Sequence, residues 1–138
     1  RKRAAEDILR DVRLLAKEGV SEVTLLGQNV NSYGLDLPAS EGMDFAALLR
    51  EVAKITGIRR IRFMTSHPKD LSPNLIAALR DEEKICKHIH LPVQSGSDKI
   101  LKRMNRKYDR AHYMGLLASL RKDVPGIEVT TDIILGFP

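Results

Sequence analysis

The chain has 138 residues, 43% hydrophobic and 30% charged, a length and balance that fit one globular soluble domain and exclude two of ordinary size. No apolar run approaches the roughly 20 residues of a membrane span, and Arg1-Lys2-Arg3 followed by Glu6 and Asp7 is not a signal-peptide core, so the cytoplasm is the expected location. A net charge of +5 favours polyanionic partners, and the single cysteine, Cys86, excludes an intrachain disulfide and any multi-cysteine metal site made by this chain alone.

From Ala5 onward, Ile8, Leu9, Val12, Leu15 and Ala16 recur at the spacing of one buried helix face, and Gly19 supplies a C-terminal cap. Val23 to Leu26 is too short a run for a helix and reads as a parallel strand covered on both faces. Asp44 caps a second helix that faces inward through Phe45, Leu48, Leu49, Val52 and Ile55, and Gly57 leads into a strand at Arg60 to Met64. Ser72, with Pro73 in the first turn, opens a third helix packing through Leu75, Ile76 and Leu79, before a strand near Lys87 to Leu91. Ser97 or Asp98 opens a short helix through Ile100, Leu101 and Met104. Asp109 opens another through Met114, Leu117 and Leu120, and Pro125-Gly126 turns into a strand from Glu128 to Leu135.

Strands separated by helices predict parallel pairing through right-handed crossovers. A closed eight-stranded barrel takes about 250 residues, so four strands predict an α/β fold that is a parallel-stranded segment of a partial TIM-type barrel. The first and last strands then expose edges, which makes self-association an expected property.

Ligands of parallel α/β folds bind at the carboxyl ends of the strands. Those ends are polar here: Gly27 to Gly34 after the first strand, Thr65-Ser66-His67-Pro68 after the second, Pro92 to Ser97 after the third, and Asp132 before Gly136 on the fourth. Amides and hydroxyls make directed hydrogen bonds and bind rather than react. Gln28 and Asn29 suit an amino-acid or ribose group, and Gln94 and Ser95, beside Gly96, suit a carboxylate or hydroxyl. Loop shaping explains any one such loop; four on one rim favour a site. Asp132 lies in an apolar strand, where a buried carboxylate is costly unless paired or used. His88 and His90 share a strand face, but two ligands are too few for a metal and no Asp or Cys nearby completes a set. His67 is the better candidate for polar contact with substrate. Lys102, Arg103, Arg106, Lys107 and Arg110, with Tyr108 among them, form a basic cluster that suits either RNA phosphate or a solvated helix junction, and Arg59, Arg60 and Arg62 form a second. P-loop, dinucleotide, nucleophile-elbow and zinc-protease motifs are absent.

The stretches Leu25 to Gly34, Thr65 to Pro68, His90 to Ser97, Met104-Asn105-Arg106 and Asp132 to Pro138 together resemble the radical SAM methylthiotransferases, and within them the branch acting on dimethylallyladenosine next to the tRNA anticodon. The resemblance spans essentially the whole chain. It implies a partial barrel in which a C-x-x-x-C-x-x-C loop holds a 4Fe-4S cluster, S-adenosylmethionine is cleaved to a 5'-deoxyadenosyl radical, and a second 4Fe-4S cluster supplies sulfur. Gln28, Asn29, Ser66, Gln94, Ser95 and Asp132 match the set facing S-adenosylmethionine, with Asn31, Tyr33, His67, Asn105 and Arg106 nearer a tRNA substrate; no residue here is expected to be catalytic or a metal ligand. The cluster cysteines and the flanking domains are expected outside these residues, Cys86 is expected to be a free, at least partly buried thiol, and the stretch by itself is expected to be inactive. Two further readings remain open: a methylthiotransferase acting on another modified adenosine or a ribosomal protein, and a noncatalytic RNA-binding module.

Overall fold

Helix α1 (Ala5–Lys17) buries Leu9 and Val12 and ends where Gly19, at φ 91, takes the left-handed turn that closes a helix, with the Val20 N–H reaching back to the Leu15 carbonyl at 3.0 Å. The structure is a computed structural model describing residues 3–27, 30–34, 43–64 and 71–138, without the Asn31 side chain. Leu15, expected inside, is 40% exposed: α1 lies at one end of the helix layer, with α2 as its main helical neighbour.

Strand β1 (Glu22–Leu25) is followed by a short 3-10 turn at Val30–Ser32 and then by α2 (Phe45–Ala53), whose first turn is closed by the Asp44 carboxylate accepting the Ala47 N–H at 2.7 Å. Strand β2 (Arg60–Phe63) leads to α3 (Pro73–Asp81), capped by Ser72 Oγ on the Leu75 N–H at 3.2 Å. Strand β3 (His88–His90), α4 (Asp98–Arg103), α5 (Arg110–Asp123) and β4 (Glu128–Thr130) complete the order. In α5 the inward positions belong to Tyr113 and Leu120, while Met114, expected inside, is 52% exposed.

β1 and β2 pair in parallel with Glu22 opposite Arg60, and β3 and β4 with His88 opposite Glu128. A bridge joins the pairs: the Ile61 N–H donates to the Lys84 carbonyl at 2.8 Å and the Cys86 N–H to the Ile61 carbonyl at 3.0 Å. Strand order therefore follows chain order. The helices contact one another in the same sequence, α1 to α2, α2 to α3 and α3 to α5, forming one layer on one face of the sheet. Sequential parallel strands with a single helix layer are the wall of a singly wound barrel, not a doubly wound sheet.

The two faces differ sharply. Toward the helices, Val23, Ile61, Phe63, Ile85, Ile89 and Leu91 are buried, with the Phe63 ring edge-on to Phe45 at 5.2 Å between centroids. Each such side chain contributes roughly 1.5–3 kcal/mol by leaving water. The alternate residues, Glu22, Thr24, Arg60, Arg62, His88 and His90, lie on the other face, and none is buried. The expectation that β1 is covered on both faces is thus corrected: Thr24 interrupts the apolar run, and only Val23 is buried. β4 is also shorter than Glu128 to Leu135. Among the described residues its only strand partner is β3, and past Thr130 it rejoins that neighbour only by a bridge at Ile133.

Candidate cofactor and substrate rim

Beyond β3 and β4 the two chains stay joined at their carboxyl ends. The Gln94 N–H donates to the Asp132 carbonyl at 2.9 Å and the Ile134 N–H to the Gln94 carbonyl at 2.8 Å. Gln94 makes these bonds at φ 69, a left-handed conformation that costs a non-glycine residue of order 1–3 kcal/mol and persists only where the surroundings enforce it. Ser95 Oγ accepts the Ser97 N–H at 3.2 Å, so this hydroxyl also shapes the turn into α4. Gln94, Ser95 and Asp132 are brought to one rim, as the sequence predicts.

A line of polar contacts runs along the open face below that rim. His88 Nε2 and His90 Nδ1 each lie 3.1 Å from Thr130 Oγ1, and His90 Nε2 lies 3.3 Å from Asp132 Oδ2. The Thr130 hydroxyl carries one proton, so it donates to at most one of the two rings and accepts from the other. Asp132 is not the buried carboxylate its apolar flanks predict: its side chain is 67% exposed. The expectation that no Asp lies near the histidine pair is likewise corrected, because the β3–β4 register carries Asp132 to His90. Among the described residues no His, Cys, Asp or Glu group of three suits a metal ion.

The remaining predicted residues divide. Gln28, Asn29, Ser66 and His67 lie outside the described residues, and Asn31 contributes its backbone to the turn after β1. Gly34, at φ 80, brings that loop against the Met43 carbonyl, where a side chain would collide. Tyr33 donates its hydroxyl to the Arg3 carbonyl at 2.8 Å, and burial raises its pKa. Asn105, left-handed at φ 57, accepts Lys107 Nζ at 2.9 Å and turns the chain between α4 and α5. Arg106 is half-buried, with its Nε enclosed and unpartnered. Tyr108 is buried rather than displayed. Its hydroxyl bonds to the Pro92 and Val93 carbonyls at 3.3 and 3.2 Å, and its pKa is raised chiefly by burial.

Sequence reasoning missed Thr130 as the joint of the histidine chain and Glu22 as the partner of the second basic cluster. Glu22 Oε2 meets Arg60 at 2.6 Å and Oε1 meets Arg62 at 2.9 Å; the Arg62 hydrogen bond and both positive charges hold the Glu22 carboxyl below the usual carboxylate range. Period-two alternation in both strands was the available signal. A hollow lined by Arg13, Lys17, Glu51, Lys54 and Gly57 lies where α1 and α2 end, away from the strand ends that carry the rim.

A singly wound parallel sheet with a polar rim at its carboxyl ends defines a barrel-type ligand-binding wall. The Radical SAM superfamily profile matches residues 1–138, and the chain belongs to that superfamily. Over all 138 residues it is 59% identical to a tRNA-2-methylthio-N(6)-dimethylallyladenosine synthase of Acetivibrio thermocellus, covering 28% of that protein. It is 58% identical over 99% of its length to one of the same description from Thermoanaerobacter sp., again covering 28%, and 53% identical over its full length to one from Clostridium perfringens, covering 30%. The chain thus spans under a third of the relatives it matches.

Proposed function

We propose that these residues are a barrel wall and part of the cofactor rim of a tRNA methylthiotransferase that modifies dimethylallyladenosine. The observation that carries this reading is 59% identity over the whole chain to a protein described by that activity. The rim chemistry supports it: Asp132 offers an exposed carboxylate to hydroxyl or ammonium donors, and Gln94 is held in a conformation that only its surroundings sustain. Gln94, Ser95 and Asp132, with Gln28, Asn29 and Ser66, would orient S-adenosylmethionine, and Asn31, Tyr33, His67, Asn105 and Arg106 would stand toward the RNA. When bound, S-adenosylmethionine supplies the radical precursor and the methyl group.

The residues present do not fit an iron-sulfur cluster. Cys86 is the single cysteine, a half-buried thiol between β2 and β3 whose electrostatic neighbour is Arg62, not a rim residue. Cluster ligands in this reading belong to the longer enzyme, and the 138 residues alone are inactive. The edges of β1 and β4 that have no strand partner among the described residues are then pairing sites for the rest of the barrel, with self-association as the competing outcome.

The test is methylthiolation by the full-length protein of tRNA carrying or lacking the dimethylallyl group. Product only on the dimethylallyl substrate is expected; product on another modified adenosine or on a ribosomal protein, or RNA binding with no product, overturns the assignment. A stoichiometric 4Fe-4S spectrum after reconstituting the 138-residue chain would overturn the account of its cysteine.

A further inference from the structure

We infer that the α4–α5 corner is a docking surface for the phosphate backbone of RNA, fixed in place beside the rim. This inference rests on the tRNA reading above and adds the surface that would hold the substrate. Lys99, Lys102, Arg103, Arg106, Lys107 and Arg110 crowd this corner, and all but the half-buried Arg106 are exposed. Lys99, Lys102 and Arg103 stand at the i, i+3, i+4 spacing of one helix face, while Leu101 is buried on another.

Density together with charge pairing marks this corner: among the described residues Arg13, Lys17, Arg50, Arg59, Lys87, Arg121 and Lys122 also lack a carboxylate partner, but they are spread over the molecule, whereas six cations stand from Lys99 to Arg110. Arg3, Arg10, Lys54, Arg60, Arg62 and Arg80 each sit within 2.9 Å of a carboxylate oxygen. Among the described residues, none of the six corner cations has such a partner. The corner does contain two carboxylates, but both serve the backbone. Asp98 accepts the Arg110 N–H at 2.7 Å, and Asp109 accepts the His112 N–H at 2.7 Å as the cap of α5. With both acids engaged by backbone amides, the positive charge crowded here is left to act on a polyanion.

Placement supplies the second argument. The rim loop that contains Gln94 runs directly into α4, and Tyr108, inside the corner, is hydrogen-bonded to the carbonyls of Pro92 and Val93, immediately before Gln94. The cationic surface is therefore tied to the strand end that forms the rim. A phosphodiester chain bound there is held at a set position relative to Gln94 and Asp132. Tyr108 has no role as a stacking platform, being buried, so the contact is electrostatic and indifferent to base identity.

The test is titration of the full-length protein with an anticodon stem-loop RNA across a potassium chloride series, comparing wild type with K99Q/K102Q/R103Q. The variant is expected to bind at least about tenfold more weakly at low salt, with a slope of log affinity on log salt flatter by about two to three, near one unit per lost phosphate contact. The reversal K102E/R103E should weaken binding further, and R121Q/K122Q, at the far end of α5, should bind as wild type does. S-adenosylmethionine cleavage without RNA should be unchanged in all three. A wild-type slope retained in K99Q/K102Q/R103Q overturns the docking surface alone. Absence of RNA binding by the wild type overturns the tRNA reading, and this inference with it.

Discussion

The same four strands present two surfaces that share a backbone and differ only in which alternate residue faces which way. On the helix side, Ile61, Ile85 and Ile89 have at most 1% of their surface exposed. On the other, Glu22 holds Arg60 and Arg62, Thr130 hydrogen-bonds both His88 and His90, and His90 lies 3.3 Å from the Asp132 carboxylate. A closed barrel of the usual kind fills its interior with layers of branched apolar side chains. This wall instead offers charge and hydrogen bonds to the space it faces, as a sheet must if that space receives a polar ligand. Apolar packing and polar contacts are thus divided between the two faces, and substitution can test whether function follows the polar one.

The largest effect is expected from the packed face. Ile61→Ala removes a fully buried side chain where β1, β2 and the Ile85 bridge meet, and should cost about 2–5 kcal/mol in urea unfolding. A loss under about 1 kcal/mol would mean that this face is not the core. Tyr108→Phe, which strips the pin between the α4–α5 corner and the Pro92 and Val93 carbonyls, should cost about 1–2 kcal/mol.

On the open face the expected signature is functional rather than structural. Thr130→Val keeps the shape but breaks both histidine contacts, so unfolding should change by no more than about 1 kcal/mol, as for an exposed hydrogen bond. In the full-length protein, S-adenosylmethionine affinity should fall severalfold, with Thr130→Ser restoring it. In an Asp132→Asn background the same change should add little, because Thr130 acts through that carboxylate. Additive losses would detach the histidine chain from the rim.

The smallest effect concerns pH. Because Arg62 and Arg60 hold the Glu22 carboxyl below its unfolded value, this pairing stabilises the fold above the ordinary carboxylate pKa and is lost as pH falls through the depressed folded value. The urea midpoint of Glu22→Gln should lie slightly below wild type at neutral pH and converge on it in acid. A constant offset at every pH would assign the loss to packing instead.

Helices were legible because their signals are local. Asp44, Ser72 and Asp109 cap the helices they were expected to cap, each through its own side chain, and Leu9, Leu49 and Leu79 fall on the faces their spacing predicts. Met114 and Leu15 were misjudged because periodicity gives a face, not the extent of its cover. The rim was legible as a set of polar loops at strand ends, and Gln94, Ser95 and Asp132 meet there. What escaped was everything that depends on register. Thr130 carries no mark that would separate it from Thr131, and Glu22 lies 38 and 40 residues before the arginines it holds.

By itself, the sequence determined the alternation of helix and strand, the polar strand ends, the lone thiol and the superfamily, since these follow from composition, spacing and motif. Only the tertiary structure decided that one sheet face is packed and the other polar, that Asp132 comes to His90, and that the corner acids serve backbone amides while the corner bases, among the described residues, have no carboxylate partner. Each of those depends on the alignment of strands and turns distant in the chain. Hydrogen bonds and ion pairs act over a few ångströms of space, whatever the separation along the chain.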